Sequence, residues 1–256
     1  MRADDPYEAE FVRDLFGEMA STYGITNLVS SVGFCQRWRD QCIQLAAVEP
    51  GMAVCDLMSG MGETWNAIGQ RLQGTGSIVA LDFCPQMCAS ARRQQQRHQL
   101  KNVSVLEEDV LSNSIPSGSA DRVVSSFGLK TFSDRQARGV AAEIARILKP
   151  DGRYSLLEIS VPRAVFLRWP YMFYLRYVIP ILGLLFLGNP RCYRMLGVYT
   201  AAFGNCSRMA GMLRDAGLEA EYRELFFGCA TAVVGGRSGP INGRAAAAAA
   251  ADGDLG

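Results

Sequence analysis

Short runs rich in Val, Ile and Leu alternate with segments of helical spacing through the middle of the chain, and this alternation limits the possible folds more than any other feature. The runs are Met52–Leu57, Ser77–Asp82, Val103–Leu106, Asp121–Phe127 and Arg153–Ile159. Glu63–Leu72, Pro85–Leu100 and Arg135–Leu148 read as helices between them. Pro85 suits a first helical turn, where the N–H that proline lacks has no partner to lose. Pro150-Asp151-Gly152 is expected to close the last helix. Strands that are apolar along their whole length must be covered on both faces, which means parallel strand–helix units. A helix at Ser207–Ala216, ended by Gly217, precedes two more strand-like runs, Ala220–Phe227 and Cys229–Val234. These would form an antiparallel edge. The expected fold is α/β: a doubly wound, mostly parallel seven-stranded sheet.

The flanks depart from this pattern. Residues 7–48 read as a helical cap, with Phe11, Val12, Leu15, Phe16 and Met19 on one face and a second helix near Gly33–Ala47. Residues 162–200 form an apolar, aromatic insertion that carries Arg163, Arg168, Arg176, Arg191 and Arg194 and no acid. Its uncharged stretch, Tyr177–Pro190, has 14 residues, short of the roughly 20 that a spanning helix needs. Residues 237–256, with seven consecutive alanines, have little to bury and are expected to be disordered.

Composition excludes several functions. Lys and Arg total 26 against 25 for Asp and Glu, a net charge of +1, so no nucleic-acid partner is expected. The single histidine, His98, reads as a solvated helix residue. It leaves no multi-His metal centre, and a Ser-His-Asp triad only with His98 as base. The eight cysteines form no C-x-x-C pair and mostly sit among apolar neighbours, as small hydrophobes do. Met1-Arg2-Ala3-Asp4-Asp5-Pro6 has no apolar signal stretch, so reduced thiols and a cytosolic face are expected.

The chemistry concentrates at strand ends. Asp56-Leu57-Met58-Ser59-Gly60-Met61-Gly62-Glu63 follows the first strand and opens the first helix. Glycines there let backbone N–H groups approach a ligand. Asp82 ends the second strand, 26 residues after Asp56, where an acid suits the two ribose hydroxyls of an adenosine. Asp109 follows the third strand, where an adenine amino group can be read. Trp65 stands where a dinucleotide loop needs its third glycine, and the Gly-Lys-Ser/Thr of a P-loop is absent. A nucleoside without a pyrophosphate fits this pattern, namely S-adenosylmethionine.

Asp56…Gly60-x-Gly62, Asp82-x-x-Pro85-x-Met87, Asp109 and Ser125-Ser126-Phe127-Gly128-Leu129 resemble class I methyltransferases. More narrowly, they resemble the ubiquinone/menaquinone C-methyltransferases of UbiE type. Phe16-x-x-Met19-Ala20-x-x-Tyr23-x-x-x-Asn27 is similar to that family's N-terminal pattern. The Arg-rich insertion and Tyr193…Phe203…Leu213-x-x-Ala216-Gly217 are similar to its C-terminal part. The resemblance runs from about Glu10 to Arg237. It implies a methyltransferase-like Rossmann fold with one S-adenosylmethionine-binding domain over residues 1–236. It places the cofactor on Asp56, Gly60, Met61, Gly62, Asp82, Asp109, Val110 and Ser126, and the substrate on Tyr23 and Asn27.

The departures from the family are informative. Its loop usually runs Asp-Leu-Ala-Gly-Gly-Thr-Gly-Asp. Here Met58, Ser59, Met61 and Glu63 replace Ala, Gly, Thr and Asp, and Lys130-Thr131 replaces an Arg-Asn pair. These changes bring bulk and a carboxyl-bearing chain to the methionine end of the cofactor. Asp-Leu-Met-Ser-Gly-Met-Gly-Glu-Thr-Trp resembles the rhodoquinone-biosynthesis branch of the group, RquA. That resemblance implies conversion of ubiquinone to rhodoquinone, exchanging a ring methoxy for an amino group, with S-adenosylmethionine as nitrogen donor and a divalent metal such as Mn2+. The alternatives are C-methyl transfer in ubiquinone or menaquinone biosynthesis, and a non-catalytic S-adenosylmethionine-binding protein. Lys130 is expected to donate to the quinone oxygen. Glu63 is expected to take a proton from the amine or to hold the metal, or else to serve as a helix N-terminal acid. Ubiquinone or a related lipid quinone is the expected partner. Residues 163–187 are expected to form one or two short helices in the membrane interface, or alternatively to cap the sheet as core. The expected location is peripheral, on the cytoplasmic side of the inner membrane, or at the mitochondrial inner membrane in a eukaryote.

Overall fold

The apolar runs pair into a single seven-stranded sheet in the computed structural model, which describes residues 6–20, 33–186 and 190–237. The strands are β1 (Ala53–Leu57), β2 (Ser77–Asp82), β3 (Val103–Glu107), β4 (Ala120–Ser126), β5 (Leu148–Ile159), β6 (Glu219–Leu225) and β7 (Ala230–Gly236). Their order is β3-β2-β1-β4-β5-β7-β6. From β3 to β5 every pairing is parallel. The last two strands form the expected antiparallel edge. β7 alone is antiparallel, inserted between β5 and β6, so the outermost strand β6 runs in the same sense as β1–β5.

Helices cover both faces. α1 (Ala9–Met19) and α2 (Phe34–Leu45) precede the sheet, and α3 (Trp65–Leu72), α4 (Pro85–Arg97) and α5 (Asp134–Ile147) connect its strands. Val140, Ala141, Ile144 and Ile147 of α5 pack with Met209, Ala210 and Leu213 of a later helix against one face. Ile43, Trp65, Ile68 and Leu72 fill the other. A fully buried Ile or Leu of this kind contributes roughly 1.5–3 kcal/mol. Ser133 and Gln136 form a capping box that starts α5, each satisfying a backbone N–H of the other's residue. The seven described cysteines with resolved surroundings are buried free thiols. His98 caps the end of α4 in solvent.

One boundary moves. Pro150-Asp151-Gly152 does not separate α5 from the strand. It lies inside β5, at a register shift opposite Ala120 and Arg122, so the strand begins at Leu148. A bulge is one of the few sheet positions that tolerate proline.

The insertion folds as α6 (Val165–Phe173), a π-helical turn (Tyr174–Val178), α7 (Ile179–Phe186) and α8 (Pro190–Phe203), followed by α9 (Ser207–Asp215). Part of the segment packs as core and part of it stays exposed. Leu175, Ile179 and Tyr193 are buried with Phe127 and Leu157 over the ends of the central strands. Phe166, Trp169, Phe173, Tyr177, Ile181 and Leu184 remain exposed. No helix among the described residues is long and apolar enough to cross a membrane. Tyr23, Asn27 and the tail from residue 238 lie outside the described residues.

Candidate functional site

The strand order reverses between β1 and β4, and the crevice at the C-terminal ends of such strands is where this architecture binds ligands. A cleft opens there. Its floor is Met58, Gly60, Leu81, Asp82 and Ser126, its sides Asp109 and Val110, and its lid Tyr7, Ala9, Val12 and Phe16 of the α1 region. Gly60 and Gly62 both have positive φ. A Cβ on Gly62 would lie 2.5 Å from the Trp65 ring, so only glycine fits against that helix start. Met58 (φ 55°) and Phe127 (φ 66°) hold the same left-handed region without being glycine. Such strain persists where surrounding structure enforces it, and both residues border the cleft.

The acids occupy distinct positions. Asp82 Oδ2 accepts from Gly60 N–H at 2.9 Å and Oδ1 from Cys84 N–H at 2.9 Å, which fixes the carboxylate at the cleft floor with lone pairs left for ligand hydroxyls. Burial pushes its pKa up to about 6. Asp109 Oδ1 accepts from Leu111 N–H at 2.9 Å. Asp56 lies behind the loop rather than on the cleft wall. Its Oδ2 accepts from Thr64 Oγ1 at 2.5 Å, while its Oδ1 has no partner among the described residues. Burial pushes Asp56 up to about 7.

The remaining expected residues separate. Glu63 Oε2 accepts from Met61 N–H at 3.1 Å, which turns Glu63 back over the loop. Lys130 does not reach the cleft. Its ammonium donates to Glu158 Oε1 at 3.0 Å and to the Phe127 carbonyl, and it borders a neighbouring hollow with Leu129, Phe132 and Met209. A fully buried carboxylate 28 residues away, Glu158, holds the ammonium expected to donate to a quinone oxygen. Of the Lys130-Thr131 pair, Thr131 faces the cleft. Among the described residues no group of three or more His, Cys, Asp or Glu side chains is placed to hold a metal. The described residues therefore offer no such cluster to Mn2+, and Glu63 faces Arg39.

Phe83, Met87, Leu111, Phe132 and Gln136 also line the cleft without having been assigned to it. Phe83 and Leu111 each follow a strand-end acid closely, a signal within the chain. Gln136 donates to the Tyr7 carbonyl at 3.0 Å, 129 residues away, and nothing local marks that pairing. Apolar walls that carry the two acids Asp82 and Asp109 suit a nucleoside such as that of S-adenosylmethionine.

Comparison with known proteins agrees with this geometry. Residues 4–237 match the model of the ubiE/COQ5 methyltransferase family. The chain is 34% identical over 223 residues to a demethylmenaquinone methyltransferase of Thermus thermophilus, covering 87% of this chain and 100% of that protein. It is 32% identical to the Deinococcus radiodurans demethylmenaquinone methyltransferase, covering 91% and 95%. Among solved structures, it resembles a SAM-dependent methyltransferase from Aquifex aeolicus (TM-score 0.58, 16% identity, covering 83% of this chain and 96% of that one). It also resembles the [4+2]-cyclase SpnF (TM-score 0.54, 18% identity, covering 74% and 59%). These structural likenesses concern the fold alone, and a cyclase among them is an instance of other chemistry on a similar fold. The matched family model, the full-length relatives and a nucleoside cleft at the sheet's switch point together make this chain a member of the ubiE/COQ5 methyltransferase family, whose donor is S-adenosylmethionine.

Proposed function

We propose that this protein transfers a group from S-adenosylmethionine to the head-group ring of a lipid quinone. The observation that carries the reading is the cleft, where a ribose-type acid at Asp82 stands beside the strained Met58 and Phe127 walls. Two transfers are compatible with it. C-methylation of a demethylated quinol is supported by the names of the relatives. Exchange of a ring methoxy for an amino group, giving rhodoquinone from ubiquinone, is favoured by the loop. Met58 holds a left-handed backbone where the family pattern has alanine, and it packs against Gly128, where an added Cβ would come within 2.8 Å of the Met58 side chain. The bulk at this wall reshapes the region where donor and ring meet.

A methoxy on a quinone ring is a vinylogous ester. In the exchange reading the donor's α-amino nitrogen adds to the ring carbon and methanol leaves. The adduct then tautomerises to an imine at the donor's α-carbon, which reduces the quinone to the quinol, and water hydrolyses the imine, breaking the N–Cα bond to leave the amino-quinol and a 2-oxo acid. The protein must mainly hold two reactants together. Lipid mass spectrometry on a ubiquinone-making host expressing this chain tests the reading. A quinone with one methoxy exchanged for an amine supports exchange, and the reverted loop Met58→Ala, Ser59→Gly, Met61→Thr should then make less of it. A product with an added ring methyl supports C-methylation and overturns exchange.

The substrate lives in the bilayer, and we assign the exposed face of α6 and α7 to the membrane interface, as a peripheral contact. Phe166 and Trp169 are 84% and 77% exposed, with Arg163, Arg168 and Arg176 beside them in solvent. Rings with polar edges and snorkelling arginines suit lipid head groups.

A further inference from the structure

We propose that the turn between β6 and β7 is a second membrane anchor, whose Phe227 ring enters an anionic lipid surface beside α6. The inference rests on the membrane contact assigned above to α6 and α7, and it adds an element that the contact does not include.

The turn spans Phe226–Gly228. Phe226 and Phe227 both hold a left-handed backbone, with φ 44° and 55°. Glycine adopts this region freely, whereas a bulky ring there is an outlier. Phe226 has a packing reason to be a ring. Its centroid lies 4.5 Å from that of Phe34 and 6.4 Å from that of Trp38. Phe227 points outward. It is 74% exposed, and its ring neighbour among the described residues is Phe226, at 5.6 Å. The surroundings enforce the strain. Cys229 N–H donates to the Phe226 carbonyl at 3.1 Å. The Cys229 carbonyl accepts from Ser160 N–H at 2.9 Å and from the Tyr171 hydroxyl at 3.0 Å, which ties the turn to the end of β5 and to α6. Strain maintained in this way around an exposed ring points to a use outside the fold.

The turn sits against the start of α6. A Cβ on Gly228 would lie 3.5 Å from Pro162 Cα and 3.7 Å from Arg163 N. Arg163 Nε reaches Glu224 Oε1 at 3.1 Å, which neutralises the acid two residues before the turn. Val165–Phe186 carries the exposed Arg168 and Arg176 and no acid. Exposed rings flanked by cations and free of unpaired acids suit anionic lipid head groups. The direction also agrees. β6 runs in the same sense as β1–β5, so the turn leaves the sheet at the edge that carries the cleft. Anchoring there turns the cleft toward the bilayer that holds the quinone.

Sedimentation with vesicles of phosphatidylcholine and phosphatidylglycerol tests this with Phe227→Gly. Glycine takes the left-handed backbone freely, so Tm should hold or rise, while vesicle affinity should fall about tenfold with the lost ring. Calorimetric affinity for 5′-methylthioadenosine, the nucleoside part of the donor, should not change. Trp38 and Trp65 are buried, so in a Trp169→Phe background the fluorescence gained by Phe227→Trp should be quenched by brominated lipids. Wild-type vesicle affinity in Phe227→Gly, or no quenching in the Phe227→Trp variant, overturns the proposal. If Phe166→Glu with Trp169→Glu still releases the protein in that case, the α6 contact stands without the turn. A lower Tm in Phe227→Gly overturns it as well, since the ring would then serve the fold. So does a change from dimer to monomer at unchanged vesicle affinity, which assigns the turn to a second copy of this chain. A wild type that never sediments with these vesicles removes the membrane contact and the turn together.

Discussion

Replacing Lys130 by methionine removes one ammonium and keeps the apolar stem, and the structure predicts a large loss of stability from it. Lys130 is 6% exposed and Glu158 fully buried. The Glu158 carboxylate accepts from Lys130 Nζ at 3.0 Å, from Lys130 N–H at 3.0 Å and from Ile159 N–H at 2.8 Å. Lys130→Met leaves that charge with two backbone donors and no counter-ion. Breaking a buried pair from one side costs about 3–5 kcal/mol, a large share of the roughly 5–15 kcal/mol by which a domain is stable. For a chain of this size Tm should fall by roughly 6–20 °C. Adding Glu158→Gln removes the orphaned charge while its amide oxygen still accepts from the backbone. The double variant should therefore recover most of the loss, to within about 1–2 kcal/mol of wild type. Denaturant and thermal unfolding measure both, and calorimetry with 5′-methylthioadenosine on the folded variants should give unchanged affinity. If Lys130→Met keeps full stability and loses turnover, the pairing argument is wrong and Lys130 acts on substrate.

Asp82→Ala should weaken both S-adenosylmethionine and 5′-methylthioadenosine by about ten- to a hundredfold, and unchanged calorimetric affinity would remove Asp82 from the ribose site. Asp56 and Asp82 titrate near 7 and 6 instead of 3.8, so between those values the folded state holds more protons than the unfolded chain and stability falls as pH rises. The unliganded protein should melt lower at about pH 7.5 than at about pH 5, and Asp56→Asn should narrow the difference; an unchanged slope in the variant argues against Asp56 as its source. Phe166→Glu with Trp169→Glu should release the protein from anionic liposomes in sedimentation while circular dichroism and cofactor affinity stay at wild-type values, because both rings are exposed. A wild type that never sediments with liposomes refutes the membrane contact.

Much of the fold was legible in the chain because its signals are local. Short apolar runs, helical spacing, a strand-end acid and a glycine turn each occupy a few neighbouring residues, and Ser77–Asp82 is a strand with the same bounds in the sequence reading and in the structure. Part of the cleft lining was legible for the same reason, since Gly60, Asp82 and Asp109 all line it and each closely follows or ends a strand that the pattern identifies. Tertiary structure decided what depends on distant residues meeting. An apolar run such as Val165–Phe173 reads the same whether it is covered or exposed, and only packing leaves its rings in solvent. The antiparallel insertion of β7 is a choice of pairing partner, which alternation does not encode. Lys130 looks free in sequence because Glu158 lies 28 residues on, in β5, and Arg39 acquires Glu63 only when α2 packs beside the loop after β1. Charge pairing inside a core is set by three-dimensional distance and desolvation, and neither is written in any local stretch of the chain.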